Sequence, residues 1–431
     1  MENSTIISEN LFPPVVRNWA DKLYAAGLMI YVFACNFSIS ASQTGLSLAM
    51  IGFIAMYRQG RITVRKTPLD APFAFMALTG LLSVFRAEDL SRAIPELKIY
   101  LLIFCFYLAY WPRMSENFQK TLFTIFIVSA GIMGLLNSYR MPDLELTGNR
   151  AKGFFSTSMT FGECQTIATL AILTLFGFIK KNTVKMSLLL MGGIATTYSV
   201  IFSMVRGAWL GLTAGSLLLL YSFPKRTFIA LTIIALSISP LIYFSSDIQE
   251  RFGGLSLQQT AAIAGKNMDE KFPTASLEAS YRRLTIWLRG FQMFENNYAF
   301  GVGMNNVKTW YKRLATEFEF KSDLIWGHQH NNFIQIMVMT GFIGLIAFFY
   351  FILEAIKLTW RAKKSDNIAW SHSLSLGAAS ILICFLITGL TEYSWGDEEV
   401  SMMALFITGL MMNRSDDYFS TSTAGATATT E

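Results

Sequence analysis

The sequence predicts an all-α, polytopic integral membrane protein with about twelve transmembrane helices. Hydrophobic residues make up 53% of the 431-residue chain. Charged residues make up only 15%, whereas soluble domains carry about 25%. The mean hydropathy is +0.41. Apolar runs also recur along the chain, at close to the length of about 20 residues that a membrane crossing needs.

The apolar runs give the predicted helices in chain order. Each run is bounded by polar residues, and some are short for a crossing. We expect them to form a single transmembrane domain over residues 1–431. The runs lie at about residues 22–39, 41–57, 71–87, 95–112, 119–138, 158–179, 185–204, 207–223, 227–244, 331–355, 369–391 and 399–412.

Basic residues in the short connectors predict the orientation. Alternate connectors are rich in Lys and Arg, and the connectors between them are uncharged, mixed or acidic. Because positive residues stay on the cytoplasmic side, both termini are predicted to be cytoplasmic. The net charge of +6 therefore gives no sign of nucleic-acid binding. The basic connector residues are Arg58, Arg61, Arg65, Lys66, Arg113, Lys120, Lys180, Lys181, Lys185, Lys225, Arg226, Lys357, Arg361, Lys363 and Lys364.

One long hydrophilic segment, residues 245–329, falls on the outer side in this orientation. A helical pattern covers residues 281–294 of this loop. The pattern fits an amphipathic helix on the membrane surface, which periodicity alone favours. It also fits a lid that presents arginines to an anionic substrate. The apolar face consists of Leu284, Trp287, Leu288 and Phe291.

The C-terminal segment and the cysteines suggest no chemistry. Residues 415–431, rich in Ser, Thr and Ala from Ser420 onward, are predicted to form a disordered cytoplasmic tail. The cysteines have neither zinc-ligand spacing nor a disulfide framework, so we interpret them as packing residues. They are Cys35, Cys105, Cys164 and Cys384.

Two histidines, His328 and His330, lie where the long loop meets the apolar run 331–355. A neutral imidazole is well suited to take a proton near neutral pH. The sequence has no H-E-x-x-H or D-x-D pattern to complete a metal site, so neither a metal nor a cofactor is predicted. The simpler alternative is a pair of polar residues at the start of a helix.

Arg206 lies between two apolar runs with almost no connector. An arginine at this depth is unfavourable by several kcal/mol unless it snorkels or is paired. Its guanidinium group therefore either reaches a lipid phosphate or binds a substrate phosphate bidentately. The depth of Arg206 in the membrane favours neither alternative. Glu163, just inside a helix, is a possible partner for an arginine. Four further acids could pair with the basic loop or bind an acceptor, but we interpret them as a solvated outer turn: Glu392, Asp397, Glu398 and Glu399.

Three local motifs surround these residues. His330-Asn331 is followed by nine residues and then by Gly341-Phe342-Ile343-Gly344. The same pattern fails from His328, because Met339 then stands where glycine is needed. The second motif is Arg206-Gly207-Ala208-Trp209-Leu210. In the third, Arg283 stands four residues before Trp287, and Ala299-Phe300-Gly301-Val302-Gly303 follows.

With these motifs the chain resembles the lipopolysaccharide O-antigen ligase family of the O-antigen ligase/polymerase superfamily. The proline that many relatives carry before the glycine turn is absent, and the neighbouring Arg282 leaves the arginine of the third motif open. The resemblance implies a GT-C-like glycosyltransferase architecture with a large periplasmic loop. It also implies a multi-pass protein of the Gram-negative inner membrane, with its active site facing the periplasm.

The implied reaction moves O-antigen polysaccharide from undecaprenyl pyrophosphate to the lipid A–core oligosaccharide. It would be inverting and independent of metal, and the partners would be this donor, this acceptor and membrane lipids. His330 is implied to act on the acceptor hydroxyl, and Arg206 and Arg283 on the pyrophosphate. The candidate substrate-binding residues are Arg282, Arg150, Lys152, His328 and Asn331.

Two alternatives stay open from the sequence. An O-antigen polymerase or a protein O-oligosaccharyltransferase would use the same donor with another acceptor. A polysaccharide or lipid transporter would only bind and release substrate. We expect a transporter to have polar residues spread through its membrane helices, whereas the sequence suggests that they crowd at one face.

Overall fold

The computed structural model describes residues 18–146, 150–178, 182–244, 248, 275–317, 327–363 and 370–413. The regular structure of these ranges is helical, which confirms the all-α class. Residues 245–247, 249–274 and 318–326 of the predicted long loop, and the predicted tail 415–431, lie outside the described residues. The four cysteines are buried free thiols, in keeping with a packing role.

The helices follow the predicted order. A 3₁₀ helix, Leu97–Leu102, joins α4 to α5, and another, Ser394–Gly396, precedes α15. The α-helices are α1 (Trp19–Ala34), α2 (Ile39–Arg58), α3 (Asp70–Val84), α4 (Leu90–Glu96), α5 (Ile103–Tyr110), α6 (Glu116–Leu146), α7 (Ser158–Phe178), α8 (Thr183–Phe202), α9 (Arg206–Ser222), α10 (Pro224–Phe244), α11 (Ala275–Glu295), α12 (Val307–Glu317), α13 (Asn332–Lys363), α14 (Trp370–Thr388) and α15 (Glu398–Met412).

Each of the twelve apolar runs falls on helical structure. Among the described residues, six helical stretches are long and apolar enough to cross a membrane, so the protein is a polytopic, multi-pass membrane protein. The count of twelve crossings and the GT-C-like architecture stay predictions. The six stretches are Ile39–Arg58, Leu90–Tyr110, Glu116–Asn137, Ser158–Gly177, Thr183–Phe202 and Asn332–Lys357.

Contacts between connectors form two groups, one at each end of the bundle. We call the end at which α13 begins the upper end. There Gln43 and Lys98 both bind Glu398, at 3.2 and 2.5 Å, and Thr160 donates to Asp397 at 2.6 Å. At the opposite end Arg61 pairs with the buried Asp21 at 2.7 Å, and Asn413 donates to the carbonyl of Pro112 at 2.7 Å. These two groups correspond to the outer and inner connectors expected from the basic residues.

Helix α7 lies at the centre of the bundle and is almost entirely buried. Its buried side chains are not all apolar, so polar residues occur at the centre of the bundle as well as at the upper end. The threonine hydroxyls, however, donate to carbonyls four residues earlier in the same helix. Such bonds satisfy a hydroxyl within its own helix. The buried polar residues of α7 are Thr160, Glu163, Gln165, Thr166, Thr169 and Thr174.

Two loop predictions change at their boundaries. The connector between the apolar runs 119–138 and 158–179 begins later than these runs predict, because α6 continues to Leu146. In the long loop, the helix expected at 281–294 is present as α11, and α12 is a second helix, which the sequence pattern did not predict.

Candidate active site

Glu392 is the centre of the candidate site. Its Oε1 accepts a hydrogen bond from Nη2 of Arg283, and its Oε2 lies 2.9 Å from Nδ1 of His330. Only 7% of the Glu392 side chain is exposed, against 12% for His330 and 23% for Arg283. The interpretation of Glu392 as part of a solvated turn was therefore wrong. The turn after α14 folds beneath the long loop, and its first acid faces inward. We call Arg283, His330 and Glu392 the Glu392 site.

His330 is held at the junction between the long loop and α13. The side chain of Asn331 accepts from the backbone N–H groups of Phe333 and Ile334, at 2.9 and 3.0 Å, and so caps the helix. Its amide also donates to the carbonyl of Leu390 at 2.7 Å. These bonds tie the start of α13 to the turn that carries Glu392. Asn331, a candidate for substrate binding, is thus buried and bonded to the protein's own backbone.

Asn332 adds a second connection between the same two segments. Its backbone N–H donates to the carbonyl of Gly389 at 2.6 Å, and its side-chain oxygen accepts from the N–H of Trp395 at 2.9 Å. Together, Asn331 and Asn332 form hydrogen bonds with the chain before and after Glu392. The carboxylate is therefore fixed relative to His330 by backbone contacts as well as by its own hydrogen bond.

Arg283 reaches the site because α11 is anchored one turn further along. The indole of Trp287 donates to the carbonyl of Gln329 at 2.9 Å, next to His330 in the sequence. Tyr311 of α12 donates to Gln329 Oε1 at 3.2 Å and so braces the same residue. Residues four apart lie on one face of a helix. Arg283 and Trp287 therefore lie on the same face of α11. Arg283 contacts Glu392, and Trp287 contacts the loop just before His330.

The glycines of two sequence motifs meet at a contact between backbones. Helix α13 is broken at Gly341, which has a φ of 69° and a ψ of −166°. The N–H groups of Val302 and Gly303 donate to the carbonyls of Val338 and Met339, at 2.8 and 3.1 Å. A Cβ atom on Gly341 would lie 2.3 Å from the Ala299 oxygen. The two motifs therefore set the position of the long loop on the helix that carries His330.

The apolar face assigned to α11 is not the face that it buries. Ile286, Gly290 and Met293 pack inward instead. Two apolar stripes share this helix, and periodicity identified the more exposed one. Of the predicted face, only Trp287 is largely enclosed. Its other members have exposed fractions of 40% (Leu284), 58% (Leu288) and 45% (Phe291).

Arg206 begins α9 beside the turn that carries Glu392. A Cβ atom on the next residue, Gly207, would lie 2.1 Å from the hydroxyl of Thr391, so the start of the helix packs closely on this turn. The Arg206 side chain is half-buried. Arg150 and Lys152 lie near the preceding α8–α9 turn, because the N–H between them, that of Ala151, donates to the carbonyl of Phe202 at 3.0 Å. Arg150 is half-buried and Lys152 is exposed.

Residues 186–349 match the family model described as O-antigen ligase. The match confirms the resemblance to the O-antigen ligase family. Members of this family are glycosyltransferase-like enzymes. A search of curated proteins found no match to the chain.

Most of the candidate residues lie inside the segment that matches the O-antigen ligase family. Arg150, Lys152 and Glu392 lie outside it. The family resemblance could not have identified Glu392 from the motifs quoted above, since its contact with His330 depends on the fold. The candidates inside the segment are Arg206, Arg282, Arg283, His328, His330 and Asn331.

The other two candidates near the Glu392 site are His328 and Arg282. The ring of His328 lies 4.1 Å from that of His330, measured between centroids. Burial, and then the proximity of His330, lower the pKa of His328 to about 4. Arg282 is half-buried and adjacent in sequence to Arg283. Of the two arginines, the structure brings Arg283 to the carboxylate that contacts His330.

The remaining acids have separate roles. Asp397 caps α15 by accepting from the N–H groups of Glu399 and Val400, and its burial raises its pKa. Glu163 is buried, and it lies close enough to Glu392 and Asp397 for their charges to interact. The arginine contact described at this end of the bundle is that of Arg283 with Glu392, and an arginine partner for Glu163 stays a prediction. Within the described ranges, no group of three or more His, Cys, Asp or Glu side chains is placed to hold a metal ion.

Proposed function

We propose that this protein is an O-antigen ligase of the Gram-negative inner membrane. It would transfer O-antigen polysaccharide from undecaprenyl pyrophosphate to the lipid A–core oligosaccharide on the periplasmic face. The observation that carries the proposal is the Glu392 site, in which a histidine and an arginine of the matched segment share one buried carboxylate. The basic residues of the connectors support the periplasmic location, since they predict that the upper end of the bundle, where the Glu392 site lies, faces outward.

His330 is the proposed general base. Glu392 accepts from Arg283, and an ionised carboxylate has only acceptor sites, so Nδ1 of His330 carries the proton in their hydrogen bond. A neutral imidazole then has its basic lone pair on Nε2. This atom takes the proton of the acceptor hydroxyl, and Glu392 stabilises the imidazolium that forms. Such proton transfer typically contributes about 10²–10⁴-fold to a rate.

The reaction is proposed to be a single displacement. The acceptor oxygen bonds to the anomeric carbon while the bond from that carbon to the pyrophosphate oxygen breaks. Undecaprenyl pyrophosphate leaves with the electron pair, and the configuration at the anomeric carbon inverts. This path needs no nucleophilic carboxylate. In its support, Glu392 is engaged by Arg283 and His330 rather than presented alone to a sugar.

The arginines are proposed to stabilise the leaving pyrophosphate. A guanidinium carries five N–H donors, so Arg283 can bind Glu392 and a phosphate oxygen together. Arg206 begins its helix beside the same turn and supplies a second fixed positive charge against the charge that develops as the bond breaks. Arg282, Arg150 and Lys152 are proposed to bind donor or core phosphates more peripherally.

An acceptor assay tests the function. Purified protein in lipid vesicles is given lipid-linked O-antigen with lipid A–core, with a growing glycan or with an acceptor protein, each in the presence of EDTA. We expect transfer to lipid A–core. Transfer only to a growing glycan would instead make the protein a polymerase, and transfer only to the protein would make it an oligosaccharyltransferase. Movement of the donor across the membrane without any transfer would make it a transporter.

A further inference from the structure

His328 contacts His330 in two ways. Its Nδ1 accepts a hydrogen bond from the backbone N–H of His330 at 3.3 Å. The two rings also meet edge to face, with centroids 4.1 Å apart and planes inclined at 64°. Both the backbone and the ring of His330 therefore contact the side chain of His328.

The backbone contact matters because His330 has an unusual conformation. Its φ is 47°, in the left-handed region that residues other than glycine seldom adopt. Such a residue keeps this conformation only where its surroundings hold it. Here the conformation turns the chain into α13 and leaves Nδ1 of His330 directed at Glu392.

We propose that His328 is a positioning residue for His330. Its Nδ1 holds the backbone of His330 in the left-handed conformation, and its ring fixes the plane of the His330 imidazole against Glu392. This inference rests on the proposed role of His330 as a base. It gives His328 a role other than the substrate binding suggested by the sequence.

The protonation of His328 supports this role. A nitrogen that accepts a hydrogen bond carries no proton, so the neutral ring of His328 is protonated on Nε2. Burial and the neighbouring His330 and Arg283 lower the pKa of His328 to about 4, although Glu392 opposes this shift. The ring of Tyr393, 6.0 Å away, is the other aromatic neighbour. His328 therefore stays neutral while His330 gains and loses a proton.

Three substitutions separate the possible roles. His328→Asn places an amide oxygen close to the position of Nδ1 and keeps an acceptor. His328→Phe keeps an aromatic edge against His330 but has no acceptor. His328→Leu has neither. We expect His328→Phe and His328→Leu to lower kcat about tenfold or more with KM nearly unchanged, because small misplacements of a catalytic group are costly. His328→Asn should recover much of the loss.

Histidine NMR provides a readout that does not need activity. The chain has only three histidines, so ¹⁵N-histidine spectra of the full protein in detergent can be assigned with single substitutions. We expect His330 to be protonated on Nδ1 in the wild type and in His328→Asn. In His328→Phe and His328→Leu the two tautomers should exchange.

The outcomes distinguish this inference from the proposed function. An unchanged His330 tautomer in both His328→Phe and His328→Leu would overturn the positioning role, as would a rise in the acceptor KM at constant kcat. A further outcome is that the wild type shows no glycan transfer while the spectra of His328→Phe and His328→Leu change as expected. In that case the proposed function fails and the positioning contact stands.

Discussion

His330 and Glu392 are 62 positions apart in the sequence, and a hydrogen bond of 2.9 Å joins Nδ1 of one to Oε2 of the other. Leu390 and Trp395, which precede and follow Glu392 in the turn, are bonded to Asn331 and Asn332, so the backbone on both sides supports this contact. If His330 is the base, Glu392 should set its tautomer and stabilise its charged form.

We predict that Glu392→Gln lowers kcat about a hundredfold. Glutamine is similar in size and retains one acceptor, but it has no charge to stabilise an imidazolium. Steady-state transfer kinetics measure the effect. Glu398→Gln is the matched control, because Glu398 pairs with Lys98 and Gln43 at the same end of the bundle. Equal losses in the two variants would contradict the specific role of Glu392.

We also predict that Arg283 and Glu392 act as a unit. Arg283→Ala should lower kcat/KM more than Arg282→Ala, because Arg283 contacts the carboxylate of the site. Combining Arg283→Ala with Glu392→Gln should cost less than the sum of the two single effects, as expected for residues in direct contact. Additive effects would show that the arginine acts independently of Glu392.

The contact between the two glycine motifs should be important for stability. Gly341 lies in a backbone region that is almost restricted to glycine, and a Cβ there would clash with Ala299. We predict that Gly341→Ala lowers the free energy of unfolding by roughly 2–4 kcal/mol, combining backbone strain with overpacking. Thermal unfolding in detergent measures this. Gly131→Ala is the control, since its Cβ would meet its nearest neighbour at 3.8 Å, and a similar loss there would refute the explanation.

Stability should also depend on pH through His328. Its pKa is about 4 in the folded protein, below its ordinary 6.5, so the unfolded chain binds more protons between these values. The contribution of His328 to the free energy of unfolding should therefore be full above about pH 6.5 and fall as the pH is lowered to about 4. His328→Asn should remove this part of the dependence. Melting temperatures across this range provide the measurement, and identical profiles for the two proteins would contradict it.

The exposed stripe of α11 should contact lipid. Leu284, Leu288 and Phe291 are exposed on a helix whose other apolar face is buried. Spin labels at these positions, in protein reconstituted in vesicles, should be more accessible to oxygen than to a water-soluble relaxation agent. A label at the exposed Asn296 should show the reverse. The same aqueous accessibility at all four positions would rule out contact of this face with the membrane.

The sequence predicted the helices well because membrane helices carry their signal locally. Each apolar run became helix, and the histidine motif selected His330 over His328. Glu392 was missed for a physical reason. An acid in a polar turn is solvated in most settings, and only the packing of the turn against α11 and α13 buries this one.

The face of α11 was misassigned for a related reason. Ile286, Gly290 and Met293 repeat at the same spacing as Leu284, Leu288 and Phe291. Periodicity gives a helix two candidate faces in such a case, and the choice depends on its neighbours. The side chains of Gln329 and of Ile334, at the start of α13, select the face that includes Gly290, because only a small residue fits against them.

The most direct test of the central proposal is single-turnover transfer by His330→Ala. Wild-type and variant protein are reconstituted with lipid-linked O-antigen and lipid A–core in the presence of EDTA. We predict transfer by the wild type and a rate at least about a hundredfold lower in the variant, with donor binding retained. Transfer by His330→Ala at the wild-type rate would contradict the role of His330 as the base.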